Sequence, residues 1–326
     1  MRTAGFDPLP FLHGPHRQTL AGAWSWKREP LSGTETFRVP LGGGDATTLH
    51  THVPTSASPD SPTLLLIHGL EGDACRPYMI RIAQKAARVG LRTARMNLRW
   101  CGDAEGMSSK FYNSAQSGDV RKVCEWLRKK NPASPLWVAG FSLGGNLALK
   151  MAGERGTEGL AGVVAVSPPI DLHVTARSIL QPQNRFYQWR FVKTIVARSR
   201  RFLQRVDPSL CIPLSTRMTL VRFDEVFTVP LGGFSSLDHY YDEGSPKRLL
   251  PNVPCPTFVI ASKDDPLVPF EVFSGIDGRV RLIATRRGGH LGFVGRANPG
   301  DPDSRWAENR LLQLVTEDRR TPGVVE

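Results

Sequence analysis

Gly140-Phe141-Ser142-Leu143-Gly144-Gly145 follows directly on the apolar run Leu136-Trp137-Val138-Ala139 and precedes a helix-like stretch, Asn146 to Ala152. A G-x-S-x-G pentapeptide between a strand and a helix is the context of a nucleophile elbow, in which a sharp turn lifts the serine oxygen clear of the sheet. Such a turn needs neighbours without a Cβ, and Gly140 and Gly144 supply them. The expectation is that Ser142 is the attacking oxygen.

A serine hydroxyl is a poor nucleophile at neutral pH, so an imidazole must take its proton and a carboxylate must orient that imidazole. Both residue types lie downstream. The run Thr257 to Ala261 reads as a buried strand that opens into Ser262-Lys263-Asp264-Asp265-Pro266-Leu267-Val268-Pro269. A further short strand, Val280 to Ala284, leads to Arg287-Gly288-Gly289-His290-Leu291-Gly292-Phe293, which makes His290 the candidate base. Either aspartate could hold the carboxylate role.

Upstream, Thr63-Leu64-Leu65-Leu66-Ile67 reads as a strand followed by His68-Gly69-Leu70-Glu71-Gly72. A loop of this kind beside the elbow supplies one backbone N–H to a developing oxyanion, and the residue after the nucleophile supplies another. Leu70 and Leu143 are therefore the expected oxyanion donors. His68 is expected to brace the loop rather than act as the base.

Taken together with Pro15-His16-Arg17-Gln18-Thr19-Leu20, Met96-Asn97-Leu98-Arg99-Trp100-Cys101-Gly102 and Phe223-Asp224-Glu225, these stretches carry a resemblance over nearly the whole chain. The sequence resembles the YheT-like branch of the α/β-hydrolase superfamily, related to the eukaryotic ABHD1/ABHD2/ABHD3 lipases and the plant EMB8-type proteins. The resemblance implies a serine esterase or lipase that cleaves carboxylic esters, lipid esters among them, through an acyl-enzyme. It favours Asp265 over Asp264, because in this fold the acid sits just before a turn such as Pro266-Leu267-Val268-Pro269; Asp264 becomes a loop-capping or solvated residue. Trp100 and Cys101 depart from the small or Gly-containing turn expected there, a difference that bears on the substrate pocket. The same triad could serve as a thioesterase or other acyl transferase, and a non-enzymatic scaffold that binds a membrane or partner is a third reading.

Alternating strands and helices predict a mostly parallel central sheet flanked by helices. The chain of 326 residues is read as a single domain, 1–326, since the catalytic stretches must converge on one core. Thr36 to Pro40 and Thr48 to Val53 flank Gly42-Gly43-Gly44-Asp45 and suggest a hairpin. Helices are expected over Tyr78 to Val89, Ser117 to Lys130 and Trp306 to Val315, the last capped by Asp303 or Ser304. A frayed tail is expected over Thr316 to Glu326. Alternation stops after Gly162 to Val166, and residues 168–251 are read as a helical cap insertion.

Within that insertion, Arg185 to Arg205 holds seven basic residues and no acidic one. At helical spacing Trp189, Val192, Ile195, Val196, Phe202 and Leu203 share one arc, and Arg190, Lys193, Arg198, Arg200, Arg201 and Arg205 the other. This basic amphipathic helix fits three roles: a solvated cap helix, a peripheral contact with an anionic membrane, or attraction of acidic partners. The net charge of +12 favours a negative partner in encounter. No nucleic-acid motif accompanies it, and no nucleic acid is expected.

Other features set bounds. No apolar run reaches the length of a membrane span, and no export signal is visible, so a cytoplasmic protein, with or without a peripheral membrane contact, is expected. The five cysteines show no paired spacing. His50 and His52 share a strand face without a third ligand, so no metal site is expected, and the chemistry requires no cofactor. Asp224 and Glu225 are read as structural residues of the cap, His239, Tyr240 and Tyr241 as helix packing, and Pro168, Pro169 and Met107 to Tyr112 as pocket walls.

Overall fold

The computed structural model describes residues 5–23, 31–154, 158–276 and 279–317. Its centre is one sheet of eight strands in the order β1-β2-β4-β3-β5-β6-β7-β8. The strands are β1 (Thr34–Gly42), β2 (Asp45–His52), β3 (Thr63–Ile67), β4 (Arg92–Met96), β5 (Leu136–Phe141), β6 (Gly162–Val166), β7 (Thr257–Ser262) and β8 (Val280–Thr285). The hairpin β1-β2 is antiparallel, as is β2 against β4, while every pairing from β4 through β3, β5, β6 and β7 to β8 is parallel.

The parallel strands β3, β5 and β6 are buried along their whole length. This explains why they read as continuous apolar runs rather than alternating ones: both faces are covered. One face packs Leu65, Ile67, Val138 and Ala165 with α3 (Ser117–Lys130) and α4 (Leu143–Gly153). The other packs Leu64, Leu66, Ala139 and Val164 with α2 (Pro77–Arg88) and the closing helix, α10 (Trp306–Glu317). An N-terminal helix, α1 (Pro15–Ala23), precedes the sheet.

Between β6 and β7 the chain is helical: α5 (Leu172–Ile179), α6 (Arg185–Val206), α7 (Leu220–Phe223), a π-helical turn Asp224–Thr228, α8 (Val229–Gly232) and α9 (Leu237–Gly244). Its apolar side chains Val192, Ile195, Val196, Phe202, Phe223 and Phe227 merge with the main core.

Several expectations need correction here. The two arcs assigned to the basic helix α6 are wrong at two positions: Trp189 is 51% exposed, whereas Arg198 is 8% exposed. The buried arc is wider and rotated toward Tyr187 and Arg198, because Glu71 waits beneath the helix as a partner, Arg198 Nη1 donating to its Oε1 at 2.8 Å. Arg200 and Arg201 are engaged as well, on the Leu214 carbonyl at 2.8 Å and on Glu105 at 2.6 Å. Trp100 and Cys101 do not line the site; Trp100 packs edge-on against Phe202 and donates from Nε1 to the Ser108 carbonyl. Thr316 and Glu317 belong to α10 rather than to a frayed tail, and the remainder of that stretch lies outside the described residues. At the start of α10, Asp303 Oδ1 accepts from the Arg305 N–H and from Lys85 Nζ, so it ties the helix entry to α2.

Candidate active site

Every loop that reaches the site leaves the C-terminal end of a parallel strand, which is where this kind of sheet places ligands. Among the described residues six that are not glycine adopt positive φ, and all six follow strand ends: Glu71, Trp100, Ser142, Ser167, Leu291 and Phe293. Such backbone costs of order 1–3 kcal/mol per residue and persists only where surrounding structure enforces it.

The tightest constraint is at Ser142, which has φ 51° and ψ −119° between β5 and α4. A Cβ on Gly140 would stand 2.1 Å from the Gly144 carbonyl oxygen, and one on Gly144 would stand 2.3 Å from the Ile67 carbonyl oxygen. Only glycine fits either position. The Ser142 N–H donates to the Val166 carbonyl at 2.8 Å, and Asn146 N–H donates back to the Ser142 carbonyl at 3.0 Å. Strand, elbow and helix are thereby fixed as one piece.

The structure brings the predicted residues together. Ser142 Oγ lies 2.9 Å from His290 Nε2, and His290 Nδ1 lies 2.9 Å from Asp265 Oδ2. The other Asp265 oxygen, Oδ1, accepts from the N–H groups of Leu267 and Val268 at 2.9 and 3.0 Å. These two amides set the carboxylate so that Oδ2 faces the ring. An ionised carboxylate only accepts, so Nδ1 carries the proton and the Nε2 lone pair faces the serine hydroxyl.

Asp264 has a different position. Its Oδ1 accepts from Ser262 Oγ and, at 2.9 Å, from the Gly289 N–H, so it holds the histidine loop from beneath. It caps a loop and does not touch the ring nitrogens.

His68 braces its loop, as expected. It is fully buried, Nδ1 donates to the Gly69 carbonyl at 2.8 Å and Nε2 accepts from the Leu98 N–H at 3.1 Å. Burial holds its pKa down to about 4, against the pull of the Gly69 carbonyl, so the ring is neutral and suits the accepting role.

Leu70 and Leu143 border the same cavity as Ser142 and His290. Leu143 is the first residue of α4, and the first N–H groups of a helix have no partner within it. Leu70 sits in the tight turn closed by the Gly72 N–H on the Gly69 carbonyl at 3.0 Å. Behind that turn, Glu71 Oε1 accepts from Tyr112 OH and from Arg198. Burial pushes the Glu71 carboxyl up, and Arg198 opposes that push.

Two cavities meet at the serine and the histidine. The smaller, about 110 Å³, runs under α5, α6, α7 and α9 between mostly apolar walls that include Pro169, Leu172, Ile179, Ile195 and Val268. A larger one, about 550 Å³, opens toward α1, α2 and α10 past Tyr78, Tyr187, Arg76, Arg81, Arg190 and Arg305. Pro169 and Tyr112 line the smaller cavity as the sequence suggested. Asp224 corrects the sequence reading, because it borders that cavity; Glu225 does not, and pairs with Arg222 at 2.8 Å.

The part sequence reasoning missed is α1. The His290 N–H donates to Thr19 Oγ1 at 2.9 Å, and Gln18 exchanges two bonds of 2.9 Å with the backbone of Val294. A Cβ on Gly289 would lie 2.4 Å from the Pro15 carbonyl oxygen, and one on Gly292 would lie 2.4 Å from the Gln18 carbonyl oxygen. Gly289 and Gly292 of the histidine loop thus admit α1. The stretch Pro15 to Leu20 belonged to the resemblance, but no chemistry in it announced this bracing role.

Among the described residues no group of three or more His, Cys, Asp and Glu side chains gathers as a metal site, and His50 pairs with Asp103 at 3.0 Å. Among them, also, no helix is long and apolar enough to cross a membrane.

Comparison with known proteins agrees with this architecture. The model of the alpha/beta hydrolase fold family matches residues 62–297. "Putative esterase YheT" of Escherichia coli is 27% identical over 323 residues, covering 96% of this chain and 94% of that protein. "Phospholipase ABHD3" of Mus musculus is 26% identical over 243 residues, covering 72% of this chain and 58% of that protein. Among solved structures, Est1E from Butyrivibrio proteoclasticus superposes with a TM-score of 0.57 at 13% identity, covering 89% of this chain and all of that one, 100%. The Pyrococcus furiosus esterase Pf2001 does so with a TM-score of 0.57 at 16% identity, covering 91% and 96%. At these identities the solved structures speak for the fold alone. The chain belongs to the α/β-hydrolase family.

Proposed function

From membership of that family, we propose that the protein is a carboxylic-ester hydrolase in which Ser142 is the nucleophile, His290 the general base and acid, and Asp265 the carboxylate that orients the ring. The N–H groups of Leu70 and Leu143 are the oxyanion donors. The observation that carries this reading is the unbroken chain from Asp265 Oδ2 through His290 to Ser142 Oγ, with two contacts of 2.9 Å, at the junction of two cavities.

The steps of this reading are those of acyl transfer through a serine. Ser142 Oγ bonds to the ester carbonyl carbon as its proton passes to His290 Nε2, and the carbonyl oxygen becomes an oxyanion facing the two amides. Collapse breaks the bond to the alcohol oxygen, which takes the proton from Nε2 and leaves. Water then attacks the acyl-serine, giving its proton to the same nitrogen, and a second collapse frees the acid and restores Ser142. Asp265 stays ionised throughout and stabilises the imidazolium. The small apolar cavity suits the retained acyl group, and the larger, more polar cavity suits the departing alcohol and the entering water. Residues 168–251 act in this reading as a cap inserted in a single domain, 1–326.

A peripheral contact with an anionic lipid surface is supported at the start of α6, by Trp189, Arg190 and Lys193 of the helix the sequence suggested, together with Phe186. Phe186 and Trp189 are each 51% exposed, and Phe186 and Arg190 border the larger cavity. Exposed aromatics beside Arg190 and Lys193 are the pairing that interfacial binding uses. Co-sedimentation with phosphatidylserine vesicles should fall for Trp189→Ala with Lys193→Glu and in high salt; binding unmoved by both would remove this component.

The ester reading is tested by turnover of p-nitrophenyl esters from acetate to palmitate. Wild-type protein should show an optimum in chain length, and Ser142→Ala should show none of that activity while keeping its circular dichroism. Equal turnover by both proteins would place the nucleophile elsewhere.

A further inference from the structure

The ester chemistry leaves one group of the smaller cavity without a task. Asp224 stands on the π-helical turn that joins α7 to α8, and it borders the cavity beside Leu220, Val221, Thr228, Tyr240 and Tyr241. Among the described lining residues it is the only carboxylate. Single π-helical turns recur at functional sites because they push one side chain out of the helical repeat.

The hydrogen bonds around it leave acceptor capacity on both oxygens. Asp224 Oδ1 accepts from Thr228 Oγ1 at 2.8 Å and Oδ2 accepts from Tyr241 OH at 3.2 Å. A carboxylate accepts about four hydrogen bonds, so each oxygen retains capacity. Neighbouring hydroxyls are committed elsewhere: Tyr240 OH to Ser114 Oγ at 3.1 Å, and Thr175 Oγ1 to the Asp171 carbonyl at 2.8 Å. Among the described residues no arginine, lysine or histidine pairs with Asp224, and burial pushes its carboxyl up to about 7. A purely structural clamp between α9 and the π turn would need the two protein bonds but not a face on the cavity.

We propose that Asp224 is a specificity residue of the acyl cavity, accepting a hydrogen bond from a hydroxyl carried on the substrate's acyl chain, so that hydroxylated acyl groups are preferred over plain hydrocarbon chains of equal length. This rests on the ester-hydrolase reading for its kinetic form only. An acyl hydroxyl would fill the free acceptor capacity of a carboxylate that otherwise faces apolar walls. A plain chain would set hydrocarbon against the remaining acceptor positions of Asp224, and a buried acceptor position left without a partner is what lets polar sites discriminate.

The test pairs p-nitrophenyl esters with a terminal hydroxyl against esters in which a methyl replaces it, over acyl chains of increasing length. In wild-type protein the hydroxylated member should win in kcat/KM by about ten- to a hundredfold at one chain length. Asp224→Leu should reverse that preference, and Asp224→Asn, which keeps a bonding group for Thr228 and Tyr241, should reduce it while preserving the fold. Calorimetric binding of the same ester pairs to Ser142→Ala protein carries the test without turnover. Preference there with no turnover in wild type would support the subsite and overturn the esterase reading. Equal binding and equal kcat/KM within each pair, in wild type and in folded Asp224→Asn alike, would overturn the subsite while leaving the esterase reading standing.

Discussion

The two walls of the site are built by different physics. The strand-end wall, with Ser142, Leu70, Asp265 and His290, is held by backbone hydrogen bonds, positive φ and positions where no Cβ fits. The cap wall, from α5, α6, α7 and α9, is held mainly by apolar side chains, with a buried ion pair, Arg198 to Glu71, that reaches across to the loop after β3 and hydrogen bonds such as Asn184 Nδ2 to the Pro266 carbonyl at 2.6 Å. A wall set by forbidden space tolerates almost no change, and it places atoms to the accuracy that catalysis needs. A wall set by apolar contact can change side chain by side chain, and it is where selection among substrates can vary.

The largest effect that could break this contrast belongs to the strand-end wall. Ser142→Ala should lower kcat for esters by roughly 10⁴-fold or more, and His290→Ala nearly as much, with the double variant no worse than either, because the residues act as a unit. Additive losses in steady-state kinetics would show that they do not.

Next comes a buried ion pair that joins the walls, Arg198 to Glu71. Arg198→Met should cost about 3–5 kcal/mol in urea unfolding, since it leaves Glu71 buried without its ion partner. Arg198→Met with Glu71→Gln should recover much of that loss. If the double variant is as unstable as the sum of the singles, the pair is not a bridge between the cap and the loop after β3.

Smaller again is the response to a single methyl group in forbidden space. Gly140→Ala should cost at least about 1–3 kcal/mol through overpacking against the Gly144 carbonyl, together with most of the activity. Ile195→Ala in the cap wall should cost comparable stability, yet it should move the acyl-chain optimum rather than abolish turnover. Loss of all activity in Ile195→Ala, or retention of it in Gly140→Ala, would erase the distinction between the walls.

The subtlest readout is a pH dependence in the cap wall. Burial raises the folded-state pKa of Asp224 from 3.8 to about 7, with Thr228 and Tyr241 opposing the rise and Glu225 adding to it. Between those values the folded protein holds a proton that the unfolded chain has lost, so this group's contribution to stability declines as pH rises from about 4 to about 7. Thermal melts should therefore show Asp224→Asn gaining on wild type across that range. A difference in Tm that stays constant from pH 5 to pH 8 would mean that the carboxyl is not desolvated.

The same contrast governs what the sequence alone made legible. Residues 140–145 with their flanking strand and helix, the loop after β3 and the two loops after β7 and β8 were readable because glycine, histidine and aspartate at fixed places are demanded by backbone geometry. Asp265 was preferred over Asp264 by analogy, and the physical reason is visible only in the amides of Leu267 and Val268 that turn its carboxylate toward the ring. The α1 brace, through Thr19 and Gln18, is a contact across the whole length of the chain that no local pattern reports. In α6, helical periodicity marked an apolar arc but could not know that Glu71 would draw Arg198 inside, or that Trp189 would face outward. Asp224 reads from the sequence as a structural residue of the cap, and only the fold sets it beside a cavity.

The most direct test of the central claim is intact-mass analysis after treatment with a fluorophosphonate, followed by mapping of the modified peptide. Wild-type protein should gain one adduct, on Ser142, and Ser142→Ala should gain none, with His290→Ala labelled far more slowly. Folded wild-type protein that resists labelling, or that carries its adduct on another residue, would contradict the assignment of Ser142, His290 and Asp265 as the working site.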